Sequence, residues 1–294
     1  MRIGLHALGI GPGARREVID AVASAAERHG FATLWVGEHV VMVDESSSEY
    51  PYNAGGEIPV PADMDWLDPL LCLSFAAAAT QKIRIATGIL LLPEHNPVVV
   101  AKQAATLDVL SHGRLVLGVG VGWSREEFAA LGVPFERRGA RTEEYVSALR
   151  TIWADDVASF NGQFVNFNSI RVYPKPARDR RVPIVFGGNS DAALRRTATH
   201  GDGWYGFNLA NLEAVRDHVQ RLHDHCTAAG RQFDELDIAV AVAGCEPDAL
   251  PELSAIGVDE LVLVEVPPAD AAEAGDWMAQ LRERWLRADG GLTR

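Results

Sequence analysis

The chain is poor in cysteine, in basic residues and in long apolar runs. Its 294 residues include three cysteines, Cys72, Cys226 and Cys245. They are widely spaced and odd in number, so neither a disulfide framework nor a cysteine-based metal site is implied, and each reads as a small buried hydrophobe. Lys and Arg total 27 against 40 for Asp and Glu, a formal net charge of −13. A field of that sign repels nucleic acid and anionic bilayers, although a local basic pocket still accommodates a small anion. No apolar stretch reaches the roughly 18 residues of a membrane span. The chain opens on a strand rather than on a basic segment with an apolar run, so a cytoplasmic, soluble protein is the expectation. GxSxG, HExxH and GxxxxGK[ST] are all missing, and His200, His218, His223 and His225 form no ordered zinc motif. A nucleophile-elbow hydrolase, a zincin and a P-loop NTPase are therefore unsupported, and no metal is expected.

What is present is a regular alternation of strand and helix signals. Strands are expected at Arg2–Leu8, Thr33–Val36, Ile83–Leu92, Arg114–Val119, Pro183–Phe186, Gly203–Phe207, Leu236–Ala243 and Glu260–Val264. Helices are expected at Ala14–His29, Asp68–Thr80, Val98–Leu110, Glu136–Trp153, Ala192–Thr199, Leu212–Ala228, Asp248–Ser254 and Ala269–Ala288. Continuous apolarity in Ile83–Leu92 suits a strand covered on both faces. Eight strands favour a closed (β/α)8 barrel over an open doubly wound sheet, and one domain over residues 1–294. Two segments break the pattern. Val40–Asp65, punctuated by Pro51, Gly55, Gly56, Pro59 and Pro61, is too long for an ordinary connection and reads as an active-site loop. Ser159–Tyr173, after the fourth helix, reads as a hairpin or an irregular insertion turning at Asn161-Gly162. Gly290-Gly291 reads as a frayed tail.

Chemistry is expected where strands end. Trp35, Glu38 and His39 follow the second strand. His39 can move a proton near neutral pH, Glu38 can orient it, and Trp35 can form an aromatic wall; a structural histidine beside a capped loop is the other reading. Gly118 to Phe128, GVGVGWSREEF, places Gly120, Gly122 and Trp123 after the fourth strand. It permits close ligand approach or serves a tight turn, and Arg125 can pair with an anion. It is not a dinucleotide fingerprint, because the first-strand setting is absent. Gly187-Gly188-Asn189-Ser190 ends the fifth strand and opens a helix, a place for phosphate or for an ordinary N-cap. Arg195 and Arg196 follow it. His95 and Asn96 lie past the third strand and can contact a ring, while His6 reads as a barrel-interior polar residue. Asp63, Asp65 and Asp68 read as solvated or capping groups, and Trp204 as part of a turn with a site-facing option.

Taken together, Trp35-Val36-Gly37-Glu38-His39, Ile85–Ile89, His95-Asn96-Pro97, Gly118–Trp123, Gly187–Ser190 and Gly201–Trp204 resemble the luciferase-like flavin and deazaflavin oxidoreductase superfamily. The likeness is nearest to bacterial, actinobacterial F420-dependent oxidoreductases. The resemblance implies a modified (β/α)8 barrel, often dimeric, with a non-prolyl cis peptide at Gly88-Ile89 behind the cofactor ring. It implies ring contacts near His39, Gly88, Ile89 and Asn96, a cleft shaped by Gly120, Gly122 and Trp123, and phosphate contacts at Gly187, Gly188, Asn189 and Ser190. The expected reaction is hydride transfer between coenzyme F420 and a small organic substrate, with His39 as proton relay and Glu38 in support. An FMN-dependent monooxygenase, requiring a flavin reductase and oxygen, is the alternative, and a catalytically inactive barrel used for binding or assembly is a third.

Overall fold

The computed structural model describes residues 1–53 and 55–286. Its strands are β1 (Arg2–His6), β2 (Thr33–Val36), β3 (Arg84–Thr87), β4 (Leu115–Val119), β5 (Ala158–Asn161), β6 (Asn166–Ile170), β7 (Ile184–Gly187), β8 (Gly203–Leu209), β9 (Asp237–Val242) and β10 (Glu260–Val264). Eight of them close a barrel in the order β1-β10-β9-β8-β7-β4-β3-β2, and β5-β6 forms a separate antiparallel hairpin. Closure rests on Gly4 of β1, which is in register with Val262 of β10 on one side and with Thr33 of β2 on the other. The helices are α1 (Arg16–His29), α2 (Pro69–Ala78), α3 (Pro97–Leu110), α4 (Arg125–Ala130), α5 (Arg138–Ala154), α6 (Asp191–His200), α7 (Leu212–Ala228), α8 (Leu250–Ile256) and α9 (Ala274–Trp285). The sequence-based expectation of a closed β/α barrel holds, and so does the hairpin insertion. Gly290-Gly291 lies outside the described residues.

Two layers of apolar contact follow from strands buried on both faces. Trp35, Ala86, Val116, Val185, Tyr205, Ala239 and Val262 fill the barrel interior. The larger cluster joins the outward strand residues to the helices, for example Leu34 and Ile85 with Val18 and Val22 of α1. Near the base of the barrel, the fully buried Glu260 carboxylate accepts from Trp35 Nε1 at 2.8 Å and Thr33 Oγ1 at 3.0 Å, and it also pairs with Arg2 and Arg84. A charge out of water is tolerable there because its lone pairs are occupied.

The third strand is shorter than its apolar run suggests. β3 ends at Thr87, the Gly88-Ile89 peptide is cis, and Leu92–Glu94 forms a 3-10 turn. Leu90, Leu91 and Leu92 are buried all the same. Apolarity reports burial, not ladder pairing, so loop residues packed against the core read as strand. Only Leu90 keeps the parallel alignment, through Leu90 N to Gly118 O at 2.9 Å and Gly120 N to Leu90 O at 2.8 Å. β1 likewise stops at His6, although Ala7 and Leu8 are buried. The short α4 falls inside a stretch that the glycine pattern presents as loop. Among the described residues, no helix is long and apolar enough to cross a membrane.

Candidate active site

The loops that leave the C-terminal ends of the strands enclose a cavity of about 940 Å³. Barrel sites lie on this face because the strand ends project several different side chains into one space. His39, Gly88, Ile89, Gly122, Trp123 and the Gly187–Ser190 turn all line it. The long loop after β2 folds over the top and contributes Tyr50 and Tyr52, which meet edge-on at 5.4 Å between centroids.

His39 lines the cavity. Its side chain is 8% exposed, and its ring meets Trp66 edge-on at 4.9 Å and Trp123 at 5.8 Å. Its Nδ1 lies 2.8 Å from Oε2 of Glu127, which is completely buried. Glu127 also accepts from Val40 N at 2.7 Å and Val41 N at 3.1 Å, which fixes the chain just past His39. A carboxylate only accepts, so this bond assigns the Nδ1 proton and leaves Nε2 as the nitrogen available to a ligand. Glu127 was not foreseen. The signal for it was the Ser124-x-x-Glu127 pattern: Ser124 Oγ caps α4 by accepting from Glu127 N at 3.2 Å. That places Glu127 in the first turn, but its side chain turns to His39 instead of back to the cap.

Glu38 is not the residue that orients His39. Its carboxylate accepts from Leu91 N at 2.5 Å and lies 3.0 Å from His95 Nε2. It ties the end of β2 to the loop after β3. Burial opposes a charge on His95, but the hydrogen bond and charge of Glu38 outweigh it and raise the imidazole pKa. Glu94, beside them, is buried with no hydrogen-bond partner on either carboxylate oxygen. Burial, and then the charges of Glu127 and Glu38, push its pKa up to about 9. His6, on the cavity wall, lies 3.3 Å from the Tyr205 hydroxyl, and burial pushes its pKa down to about 4, so it is a neutral ring at ordinary pH.

Other expected residues fall in different places. Trp35 is buried beneath the cavity, stacked on Tyr205 at 4.6 Å, and does not form its wall. Asn96 is exposed and does not line the cavity; its side chain caps α3, accepting from Val98 N at 2.9 Å and Val99 N at 3.3 Å. The sequence Asn-Pro at a helix start gives the same signal for a cap as for a ligand contact, and the cap is what forms. Asn96→Ala is therefore expected to cost about 1 kcal/mol of stability and to leave ligand affinity unchanged; chemical denaturation and a binding titration on the same variant check both. Arg125 pairs with Glu136 at 2.9 Å rather than meeting the cavity. Trp204 is buried and donates to Gly188 O at 2.9 Å, propping the turn from behind.

The floor and the far end are built for close approach. A first side-chain carbon at Gly187 would sit 2.6 Å from Ile89 Cδ1, and one at Gly120 would also strike Ile89. Gly120 thus shapes the floor from below without lining the cavity. Asn189 spends its side chain on β8, donating to Phe207 O at 2.7 Å and accepting from Phe207 N at 3.2 Å. Ser190 caps α6 through Ala193 N at 3.3 Å. Their side chains latch the turn, and the first-turn N–H groups of α6 are the donors that suit an anion. Arg138 lines this end, donating to Gly122 O at 3.0 Å. Burial, and then the charges of Arg125 and Arg196, lower its pKa; Arg125 itself pairs with Glu136 and Arg196 with Glu143 at 3.2 Å. A flat ring over Gly88-Ile89 with a phosphate at Gly187–Ser190 fits these residues. Among the described residues, no cluster of metal-ligating side chains is present.

Comparison with known proteins gives consistent results. The family model described as luciferase-like monooxygenase matches residues 5–246. An uncharacterized protein of Mycobacterium tuberculosis is 34% identical over 261 residues, spanning 89% of this chain and 91% of that one. The FMNH2-dependent dimethylsulfone monooxygenase of Pseudomonas putida is 36% identical over 156 residues, 52% of this chain and 42% of its own length. The coenzyme F420-dependent tetrahydromethanopterin reductase of Methanopyrus kandleri shares the fold, with a TM-score of 0.75 at 16% identity and coverage of 98% and 99%.

Proposed function

The chain belongs to the luciferase-like monooxygenase family, and from that premise we propose that it is an F420-dependent oxidoreductase acting on a small organic substrate. The observation that carries the choice of cofactor is Arg138, the one Lys or Arg among the described residues that line the cavity, in a chain of net charge −13. F420 continues past its phosphate into an anionic oligoglutamate tail, whereas FMN ends there. A local cation against an acidic background favours the longer anion.

Bound there, F420 would supply two-electron hydride exchange with a carbonyl or alcohol carbon. The protein's share is positioning and proton control. Gly88, Ile89, Gly120 and Gly187 set the depth at which a flat ring rests. The α6 N-terminus and Arg138 would hold the phosphate. His39, oriented by Glu127, gives or takes the proton on the substrate oxygen through Nε2. Tyr50, Tyr52 and Trp123 keep water from the reacting atoms.

Parallel equilibrium titration of the purified protein with F420 and with FMN tests the reading. F420 is expected to bind preferentially, and Arg138→Gln is expected to weaken it by about tenfold, the worth of one charge-assisted contact. Preference for FMN would move the chain to the two-component monooxygenases, with a reductase as supplier of reduced flavin. Failure of a folded protein to bind either would point to the inactive barrel.

A further inference from the structure

Two side chains outside the cavity grip the Gly187–Ser190 turn from behind. Trp204 of β8 donates from Nε1 to Gly188 O at 2.9 Å. His218 of α7 lies 3.0 Å from Asn189 O through Nε2, and its Nδ1 lies 2.7 Å from Ala214 O. A carbonyl oxygen only accepts, so a ring that makes both bonds carries a hydrogen on each nitrogen. The two rings are parallel to within 7°, with centroids 5.9 Å apart, so each fixes the plane of the other. The consequence is directional. In a trans peptide the C=O and the N–H that follows it point to opposite sides. Both peptides here are trans. Gly188 O turns to Trp204, so Asn189 N–H points away from it. Asn189 O turns to His218, so Ser190 N–H points away from α7. Among the described residues, neither N–H donates to another backbone group. Gly188, Asn189 and Ser190 line the cavity, whereas His218 does not.

We propose, resting on the phosphate seat of the reading above, that His218 is a positioning residue for that seat. With Trp204 it holds the Gly188 and Asn189 carbonyls back, so that the Asn189 and Ser190 N–H groups face the phosphate, and it thereby sets the preference for a phosphate-bearing ring over a phosphate-free one. Donors fixed before the ligand arrives cost nothing to orient on binding. Without the two grips each peptide is able to rotate its carbonyl toward the cavity, where the oxygen repels an anion. His218 acts through the backbone of the turn and touches no ligand, so the ring end of the cleft, at Gly88 and Ile89, is outside its reach.

The test is equilibrium titration of the full chain with two ligand pairs: FMN against riboflavin, and F420 against its phosphate-free deazariboflavin. The ratio within a pair reads the phosphate seat, and the affinity of the phosphate-free member reports an intact ring cleft. His218→Phe keeps the stack on Trp204 and removes both donors. It is expected to weaken the phosphate-bearing ligand about tenfold and to leave the phosphate-free ligand unchanged. His218→Gln, whose amide can donate to Asn189 O, is expected to recover part of the loss, and Trp204→Phe to reproduce its selectivity. Equal weakening of both members of a pair in His218→Phe, the mark of a merely structural role, overturns the proposal, as does no weakening of either. F420 preferred by the parent with an unselective His218→Phe overturns it and leaves the cofactor reading standing. FMN preferred by the parent with a selective loss in His218→Phe sinks the cofactor reading and leaves this proposal standing. A folded parent that makes no distinction within either pair, or binds neither, removes the phosphate seat and this proposal with it.

Discussion

Glu127→Gln is expected to lower the rate of hydride transfer by roughly 10²- to 10⁴-fold, about as much as His39→Ala, with cofactor affinity little changed. Gln is nearly isosteric, and its carbonyl oxygen can still accept from Val40 and Val41, whose N–H groups now lie 2.7 and 3.1 Å from Glu127 Oε1. What changes is the group facing His39 Nδ1, now a carboxylate oxygen at 2.8 Å. An amide nitrogen there donates, so Nδ1 must accept, and the proton moves to Nε2. The imidazole is then left in the wrong tautomer to take a proton from an alcohol. In His39→Ala the ring is absent, and added imidazole is expected to restore part of the rate. Glu127→Ala is a poorer test, because it also strips two backbone N–H groups of their acceptor, at roughly 1–3 kcal/mol each if they stay buried. Single-turnover rates with a ketone substrate, alongside F420 titrations, check the prediction. An unchanged rate in Glu127→Gln would remove Glu127 as the positioning residue, and an unchanged rate in His39→Ala would remove the proton role itself.

That pair also shows what a single sequence makes visible. His39 was legible because it follows a strand end and because the barrel can be counted from its strands. Its partner stands 88 residues away, on a helix that the glycine-rich pattern concealed. Adjacent Glu38 was the natural choice by proximity, yet successive residues past a strand point to different sides, and Glu38 turns to Leu91 and His95. Asn96 was misplaced for a different reason. An asparagine before a proline at a strand's end serves equally as cap or as ligand contact, and only the fold decides between them. The glycines answer to shape. Gly120 and Gly187 are small because Ile89 occupies the space beside them, a requirement of shape that remains when charges and hydrogen bonds cannot be assigned.

Beneath the same site, Glu94 is expected to make the protein's stability fall as pH rises. The carboxyl is buried, both oxygens lack partners, and the neighbouring charges of Glu127 and Glu38 join burial in holding it protonated up to about pH 9. In the unfolded chain it ionises near the ordinary value of 4.5. The folded pKa is the higher one, so the contribution is fully present below about pH 4.5 and is lost progressively as pH climbs toward about 9. At roughly 1.4 kcal/mol per pH unit, the loss by pH 7 is on the order of 3 kcal/mol. Glu94→Gln removes the titration and keeps the shape. Its unfolding free energy should match that of the parent near pH 4.5 and exceed it increasingly from pH 5 to 8, as urea denaturation at four pH values would reveal. Parallel curves would mean that Glu94 ionises in the fold and that the cluster tolerates the charge. The coupling can be separated as well. Glu127→Gln deletes one of the two charges that keep Glu94 neutral, so the parent's slope should flatten in that background, and Glu94→Gln should then gain less. The proposed proton relay and the stability cost thus share one cause, a carboxylate placed in the interior beside His39, with Glu94 held neutral next to it.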